Sequence, residues 1–428
     1  MSPSPTRRSV LATLCLGLLG ASAGAQADPT TILFVGNSYT FGRVDPVMSY
    51  NAAKVYDLTA AFNAINPSGT NSYPLGTPPA TGGSFEQHPW GGVPGVFKKM
   101  TDQAGLDYEV SLSTRNAASL RGQFLNTANS TWDLRGNVAS KSWDKVVLQE
   151  QSDAALPPGK GKNANLATFN AYADQFERFI HNGAAQTYTE AQLFGSLAAC
   201  TATGLSANSC NLSRVIPKNS NANPNTQVYL EQTWARPDMV EAHKITTPDR
   251  ATPDGAPVVD SSSAGGAATL YYGSLAGMTN DLHKSFYDKA ASNSGFAGVV
   301  PVGDAFQRAV DQGVALGQGF YDANGVYAEP TDGSMNLWWL DRTHASKYGS
   351  YLSALTLFGS ITGLDPQSLG RQEQAAFDLG ISADAAWSLQ RVAAAQLGFA
   401  LAVPEPATWG LSLAGLLLVG LRVRQRKA

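Results

Sequence analysis

Two short segments, far apart in the chain, carry residue types that together could perform hydrolysis. The first is an apolar run over 31–35 that ends in a tight turn carrying Ser38. The second places Asp341 three residues before His344, just ahead of a stretch with helical spacing. Nucleophilic hydrolysis needs a nucleophile, a base and a group that orients the base. We therefore predict that Ser38, His344 and Asp341 take these three roles.

Strands and helices alternate along the chain, which indicates a mainly parallel sheet in a layered α/β domain. We predict strands at 31–35, 108–113, 145–149, 227–231 and 298–302. We predict helices at 93–103, 165–181, 274–291, 346–361 and after a capping Asp304, with a helical piece near 46–55. Ligands of such sheets bind beyond the carboxyl ends of the strands, where Ser38 lies.

The two segments also carry a family resemblance. Gly36-Asn37-Ser38-Tyr39 resembles the first block of the GDSL/SGNH hydrolases, and the segment from Asp341 to His344 resembles their last block, Asp-x-x-His. The similarity runs from about 31 to 363 and is closest to a bacterial SGNH-like branch. It implies a three-layer α/β/α sandwich of flavodoxin-like type. It also implies a serine esterase with Ser38, Asp341 and His344 as its triad and without a cofactor.

The resemblance further implies which groups bind the oxyanion. The backbone N–H of Ser38 is one donor, and a second comes from the turn of the second block, where Ala117 stands instead of a glycine. The family's third donor is an asparagine. Gln151 aligns with it here, and Gln149 is the other candidate. A glutamine carboxamide can donate the same bond from a longer arm, and one such donor is worth about 3–4 kcal/mol in the transition state.

Four other histidines compete with His344 for the role of base. They are His88, His181, His243 and His283. His181 ends a predicted helix, where a cation is favourable, and His283 lies within one. The other two lie in predicted loops without an orienting carboxylate at the right spacing, and Glu241 before His243 is the nearest rival.

Two irregular regions, near 44–89 and 184–273, are predicted insertions in one domain over 28–402. Long irregular stretches of this kind usually shape a binding site. Trp234 and Arg236 follow the predicted strand 227–231, and we expect them to line the substrate side. Core packing is the alternative role for a tryptophan.

Both ends of the chain predict sorting segments. Residues 1–27 combine paired arginines, a short apolar run and an A-x-A site, which is typical of a secretory signal peptide. Residues 403–428 combine a Pro-Glu-Pro motif, an apolar stretch and basic residues. This order resembles the PEP-CTERM sorting signal of exopolysaccharide-producing Gram-negative bacteria. It implies an exosortase-type protease as a partner, and the alternative is a simple transmembrane anchor.

Composition limits the other classes of function. The net charge is only −3, and the sequence shows no basic stripe. Nucleic-acid binding, which needs such a stripe, is therefore not indicated. Cys200 and Cys210 flank a loop of small residues, and in an oxidising compartment we expect them to form a disulfide, with two free thiols as the alternative. No other Cys or His residues have the spacing of a zinc site.

These patterns predict an exported ester hydrolase of the cell envelope, surface or extracellular matrix. An acyl or acetyl ester of a carbohydrate is the favoured substrate, by analogy with the family and the sorting tail. A binding or matrix protein that has lost activity is the first alternative. A lipase or thioesterase with an apolar acyl groove is the second.

Overall fold

The computed structural model describes residues 28–43, 45–59, 90–125, 134–249, 255–259 and 266–399. The predicted signal peptide, the tail over 403–428 and much of the predicted 44–89 insertion lie outside the described residues.

The strands are β1 (Thr30–Gly36), β2 (Tyr56–Asp57), β3 (Tyr108–Thr114), β4 (Lys145–Gln149), β5 (Gln186–Thr189), β6 (Ser213–Ile216), β7 (Gln227–Glu231), β8 (Thr246–Asp249), β9 (Gly255–Val259) and β10 (Phe296–Val300).

Six of these strands form one sheet in the order β10-β7-β4-β1-β3-β2, and every neighbouring pair is parallel. Successive residues of β1 point to opposite faces, yet Ile32, Leu33, Phe34 and Val35 are all buried. Helices must therefore cover both faces, and the predicted three-layer α/β/α fold class is confirmed. β1 lies between β3 and β4, so the strands that follow it in the chain are placed on both of its sides. In sheets of this kind a crevice opens at the carboxyl end of the strand where the order reverses.

The helices are α1 (Ser38–Phe41), α2 (Gly92–Gln103), α3 (Leu120–Leu125), α4 (Leu134–Val138), α5 (Leu166–His181), α6 (Glu190–Leu193), α7 (Leu197–Ala202), α8 (Ala207–Asn211), α9 (Leu275–Ser292), α10 (Val302–Asp311), α11 (Lys347–Thr362), α12 (Gln374–Asp378) and α13 (Ala383–Gln396). Ser346 caps α11, because its hydroxyl accepts from the N–H groups of Tyr348 and Gly349. Gly363 ends the same helix in the left-handed conformation. Both ends of this helix agree with the sequence prediction.

Two predictions around β10 are wrong. The strand covers Phe296–Val300 instead of 298–302, because Pro301 ends it and Val302 already begins the next helix. Asp304 is therefore not the cap of that helix but lies in its first turn. Its carboxylate accepts from Gln232 Nε2 at 2.8 Å and pairs with His283 Nδ1 at 2.8 Å.

The predicted helical piece near 46–55 is also wrong. Residues 45–51 form turns, and only Ala52–Lys54 form a single 3₁₀ turn. The span 184–273 is not one insertion either, because β7 within it is a strand of the main sheet. The residues before β7 form an excursion built on the antiparallel pair β5 and β6, and the residues after β7 include the antiparallel pair β8 and β9.

The excursion before β7 is held by a disulfide and a buried ion cluster. Cys200 and Cys210 are joined, in agreement with the sequence expectation. The buried carboxylate of Glu190 accepts from Arg121 Nε at 2.6 Å, Arg214 Nη2 at 2.6 Å and Tyr172 Oη at 2.6 Å. Buried charges are tolerated when they are paired in this way, so the cluster anchors the excursion to α3 and α5.

Membrane-spanning helices are absent from the described part of the chain. None of the helices there is both long enough and apolar enough to cross a bilayer. The apolar tail, for which a transmembrane anchor was the alternative prediction, lies outside the described residues.

Candidate active site

Ser38 lies at the carboxyl end of the central strand β1, in a turn fixed from two neighbouring strands. The Asn37 side chain donates to Ala118 O at 3.1 Å and to Glu150 O at 3.2 Å. Its carbonyl oxygen accepts from Tyr39 N at 3.1 Å, so Asn37 caps the short helix that Ser38 begins. The turn is thus attached to the loops after both β3 and β4.

Gly36 is required in this turn by close packing rather than by an unusual backbone angle. A Cβ atom at this position would lie 1.9 Å from Thr40 Oγ1 and 2.8 Å from Gln149 Oε1. Gly36 is not among the residues with positive φ. The reason for a glycine here is therefore steric: any side chain would displace the hydroxyl and the amide that hold the turn.

The structure brings Ser38, His344 and Asp341 together. His344 Nε2 lies 2.8 Å from Ser38 Oγ, and His344 Nδ1 lies 2.6 Å from Asp341 Oδ2. Asp341 Oδ1 also accepts from the backbone N–H groups of Thr343 at 3.0 Å and His344 at 2.9 Å. The carboxylate is thereby fixed against its own loop. It can set the imidazole tautomer that leaves Nε2 free to accept a proton.

The electrostatics of this pair favour a neutral imidazole facing a charged carboxylate. Burial lowers the pKa of His344 below its ordinary value, although Asp341 acts in the opposite direction. Burial alone would raise the pKa of Asp341, but His344 and the hydrogen bonds from its ring and backbone hold that pKa well below the usual range. At neutral pH His344 is therefore unprotonated, which is the form a general base needs.

The predicted oxyanion donors have different positions in the structure. Gln149 is buried, and its Oε1 accepts from Asn37 N at 3.1 Å and Thr40 Oγ1 at 3.1 Å, while its Nε2 donates to Glu150 O. Its carboxamide is thus used to hold the turn, and the prediction of a donor role for Gln149 is wrong. Gln151 Nε2 donates to Ser152 Oγ at 3.1 Å.

The two backbone donors that the family resemblance implies, the N–H groups of Ser38 and Ala117, are both unpaired in the described residues. Ala117 is exposed and has a φ of 56°, in the left-handed region that favours glycine. The alanine thus has a backbone conformation that glycine adopts more easily.

Trp234 does not line the substrate side as predicted. It is buried, stacks on Tyr39 with ring centroids 3.8 Å apart, and stacks on Phe306 at 4.9 Å. Its Nε1 donates to the backbone carbonyl of Thr343 at 3.1 Å. Trp234 therefore packs in the core and supports the loop that carries His344. The alternative that the sequence left open, core packing, is the correct one.

Arg236 does reach the site, but its charge is already paired. Its guanidinium pairs with Asp238 Oδ2 at 2.5 Å and Asp153 Oδ1 at 3.4 Å. It also donates to Ser152 Oγ at 2.9 Å and Thr343 Oγ1 at 3.1 Å. Arg236 thus connects the loop after β4 to the His344 loop, while it also faces the cavity next to the triad.

A cavity of about 500 Å³ opens beside Asp341, Thr343 and His344. Polar and charged residues make up most of its lining, together with the larger side chains of Met239, Ile245, Tyr271 and Trp339. The other lining residues are Asp153, Lys162, Asn163, Arg236, Asp238, Met239, His243, Ile245, Ala268, Thr269, Tyr271 and Trp339.

Arg342 is a residue of the site that sequence reasoning missed. It lies between Asp341 and Thr343, is fully buried and has a φ of 56°. Its guanidinium donates to the backbone carbonyls of Phe320, Trp338, Trp339 and Ala328 and pairs with Glu329 Oε1 at 3.2 Å. The loop between the proposed orienting carboxylate and base is therefore folded around a buried cation, a relationship that no local spacing indicates.

The competing histidines are engaged elsewhere. His181 lies between Glu177 Oε1 and Thr226 O, each at 2.7 Å, and His283 pairs with Asp304. His243 lines the cavity and contacts the backbone carbonyl of Glu241 through Nδ1 at 2.8 Å. His88 lies outside the described residues. In the part of the chain that the structure describes, no cluster of three or more His, Cys, Asp or Glu side chains could hold a metal ion.

Glu231, at the end of β7, gives a prediction on stability. Burial raises its pKa from 4.5 to about 8, so the folded protein keeps a proton that the unfolded chain releases. Stability should therefore fall as pH rises from about 4.5 to about 8, by roughly 1.4 kcal/mol per pH unit, and level off above. We expect Glu231→Gln to make this fall shallower, measured as urea unfolding free energy across that range, while Glu150, whose pKa burial raises to about 7, still contributes below that pH. Glu109→Gln, which removes a partly exposed carboxylate paired with Lys141, is the control and should keep the wild-type slope.

Comparison with known proteins gives one family match. A family model described as the PEP-CTERM protein-sorting motif matches residues 402–427, which confirms the predicted tail. The comparison with curated proteins found no match.

Several solved structures are similar at low identity. A DUF4886 family protein from Bacteroides uniformis is 11% identical with a TM-score of 0.40, over 89% of this chain and 99% of that one. An aryl esterase from M. smegmatis is 11% identical with a TM-score of 0.30, over 78% and 99%. A carbohydrate acetylesterase from Sinorhizobium meliloti is 12% identical with a TM-score of 0.29, over 78% and 99%. Others are described as SGNH-type and GDSL-like proteins. At these values the fold assignment rests on the sheet topology described above.

Proposed function

We propose that this chain is an exported serine hydrolase that cleaves carboxylic esters. The observation that carries the proposal is the continuous hydrogen-bonded arrangement in which His344 lies 2.8 Å from Ser38 Oγ and 2.6 Å from Asp341. A serine hydroxyl is a weak nucleophile unless an adjacent base takes its proton, and this arrangement supplies both the base and its orienting carboxylate.

The proposed reaction proceeds in two halves. Ser38 Oγ attacks the ester carbonyl while His344 Nε2 takes the hydroxyl proton, and Asp341 stabilises the imidazolium that forms. The N–H groups of Ser38 and Ala117 hold the oxyanion. The tetrahedral intermediate collapses when His344 returns the proton to the leaving alcohol. Water, activated by the same histidine, then releases the acid from Ser38.

The polar cavity supports a small acyl group, such as acetyl, attached to a carbohydrate. Its charged and amide side chains can bind hydroxyl groups. This substrate class matches what the acetylesterase named above is said to act on, and the assignment to this chain is our proposal.

We further propose that residues 1–27 are a signal peptide, 28–402 the hydrolase domain and 403–428 a sorting tail read by an exosortase-type protease. The PEP-CTERM match over 402–427 supports export and sorting to the cell surface. In this arrangement the catalytic domain acts outside the cytoplasm, where the disulfide between Cys200 and Cys210 persists.

Labelling with a fluorophosphonate tests the proposed function. We expect the reagent to modify Ser38 alone, as located by peptide mass spectrometry, because among the described residues only this serine has a histidine ring nitrogen within hydrogen-bond distance of its hydroxyl. The purified protein should hydrolyse p-nitrophenyl acetate and release acetate from acetylated xylan faster than it hydrolyses long-chain esters. A protein that neither labels at Ser38 nor hydrolyses the acetate ester would be the inactive binding protein that the sequence left as an alternative. A preference for long acyl chains would favour a lipase.

A further inference from the structure

Tyr39 connects the residue next to the proposed nucleophile with the loop of the proposed base. Its hydroxyl donates to the backbone carbonyl of Thr343 at 2.9 Å, and Thr343 directly precedes His344. Tyr39 is buried, and burial raises its pKa far above the ordinary value. The phenol is therefore protonated at any physiological pH and acts as a donor in this bond.

Aromatic contacts fix the ring that carries this hydroxyl. Tyr39 stacks on Trp234 with an interplanar angle of 9° and meets the ring of His344 edge-on, with centroids 5.7 Å apart. Trp234 Nε1 donates to the same Thr343 carbonyl at 3.1 Å. One carbonyl next to the base is thus held by two donors on two stacked rings, which belong to α1 and to the loop after β7.

We propose that Tyr39 is a positioning residue that sets the separation between Ser38 Oγ and His344 Nε2. Ser38 and Tyr39 are consecutive residues of one capped turn, and Thr343 and His344 are consecutive residues of one loop. The bond from Tyr39 to Thr343 therefore closes a short ring of contacts that includes the bond between Ser38 and His344. The leucine usual at this position in the family has no hydroxyl with which to form this link. The inference rests on the proposed function.

The test is the variant Tyr39→Phe, which removes the hydroxyl and keeps the stacked ring. We expect kcat for p-nitrophenyl acetate to fall about tenfold, because a misplaced base loses the aligned geometry that the reaction needs. KM should stay unchanged, since Tyr39 does not line the cavity. The rate of fluorophosphonate labelling should fall by a similar factor. Tyr272→Phe is the matched control: it removes a hydroxyl bonded to Asp281 at 2.8 Å and should leave kcat unchanged.

An NMR measurement on His344, which does not depend on catalytic turnover, separates this inference from the proposed function. NMR titration of His344 in the free protein should show a shifted imidazole resonance and pKa in Tyr39→Phe but not in Tyr272→Phe. The inference is overturned if Tyr39→Phe keeps the wild-type kcat and the wild-type His344 titration, or if the control loses as much activity. Should the wild type neither hydrolyse nor label, the proposed function fails. The NMR comparison then decides on the positioning role alone: an unchanged titration overturns it and a shifted one supports it.

Discussion

Replacing Ser38 by alanine should abolish hydrolysis of p-nitrophenyl acetate, with a loss of at least about 10³-fold in kcat. The variant keeps the turn, because the contacts that hold it come from Asn37, Thr40 and Gln149 and not from the serine hydroxyl. It removes only the atom that lies 2.8 Å from His344 Nε2. The loss should appear entirely in kcat and not in the melting temperature, which steady-state kinetics and calorimetry can measure on the same preparation.

A second buried serine provides the control for this substitution. Ser353 lies within α11, and its hydroxyl donates to Gly349 O at 3.0 Å. Ser353→Ala removes a hydroxyl of the same size from the interior, so it should change stability slightly and leave kcat unchanged. Full activity in Ser38→Ala would rule out this serine as the nucleophile. An equal loss in both variants would point to damage to the fold.

Asp341→Asn should lower kcat by roughly 10³–10⁴-fold while the protein remains folded. An asparagine carbonyl can still accept from the backbone N–H groups of Thr343 and His344, as Oδ1 of Asp341 does. It cannot carry the negative charge that stabilises the imidazolium, and its NH₂ group can force the wrong tautomer on His344. The effect should be seen with both acetate esters and fluorophosphonate labelling, since both need an activated serine.

Asp322→Asn is the corresponding control for this charge. Asp322 lies in an exposed turn, where its carboxylate accepts from the N–H groups of Asn324 at 2.8 Å and Val326 at 2.9 Å. Asparagine forms the same type of turn, so activity and stability should both stay close to wild type. If Asp341→Asn retained more than about a tenth of wild-type kcat, the orienting role of Asp341 would be contradicted.

Five of the six strands of the main sheet could be predicted because their signal is local, whereas the two-residue β2 lies in a stretch predicted to be irregular. The predicted bounds of β4 and β7 agree with the structure at every residue, since both are short apolar runs between polar turns. The error at β10 has a simple cause: Val302 continues the apolar run in sequence but belongs to the next helix, because Pro301 separates the two. A pattern of residue types does not show where a buried strand gives way to a buried helix.

The role of a site residue could be predicted from the sequence only where that role follows from the residue type and its order in the chain. The sequence shows the serine, the aspartate and the histidine in the order of the family's blocks. It does not show which groups the two glutamines bind. Gln149 binds Asn37 and Thr40, more than a hundred residues away in the chain, and this engagement removes it from the predicted donor role. Tyr39, Trp234 and Thr343 meet across three separate elements, so no spacing could indicate their contact.

The buried guanidinium of Arg342 has a consequence for how far related sequences can diverge. Four of its acceptors, at 320, 328, 338 and 339, are peptide carbonyls, which every amino acid possesses. Substitution at those positions leaves the acceptor atoms in place as long as the backbone path is kept. Position 342 has no such freedom, because only arginine offers five N–H groups in a planar fork. Homologues should therefore vary around this loop while retaining one arginine at its centre.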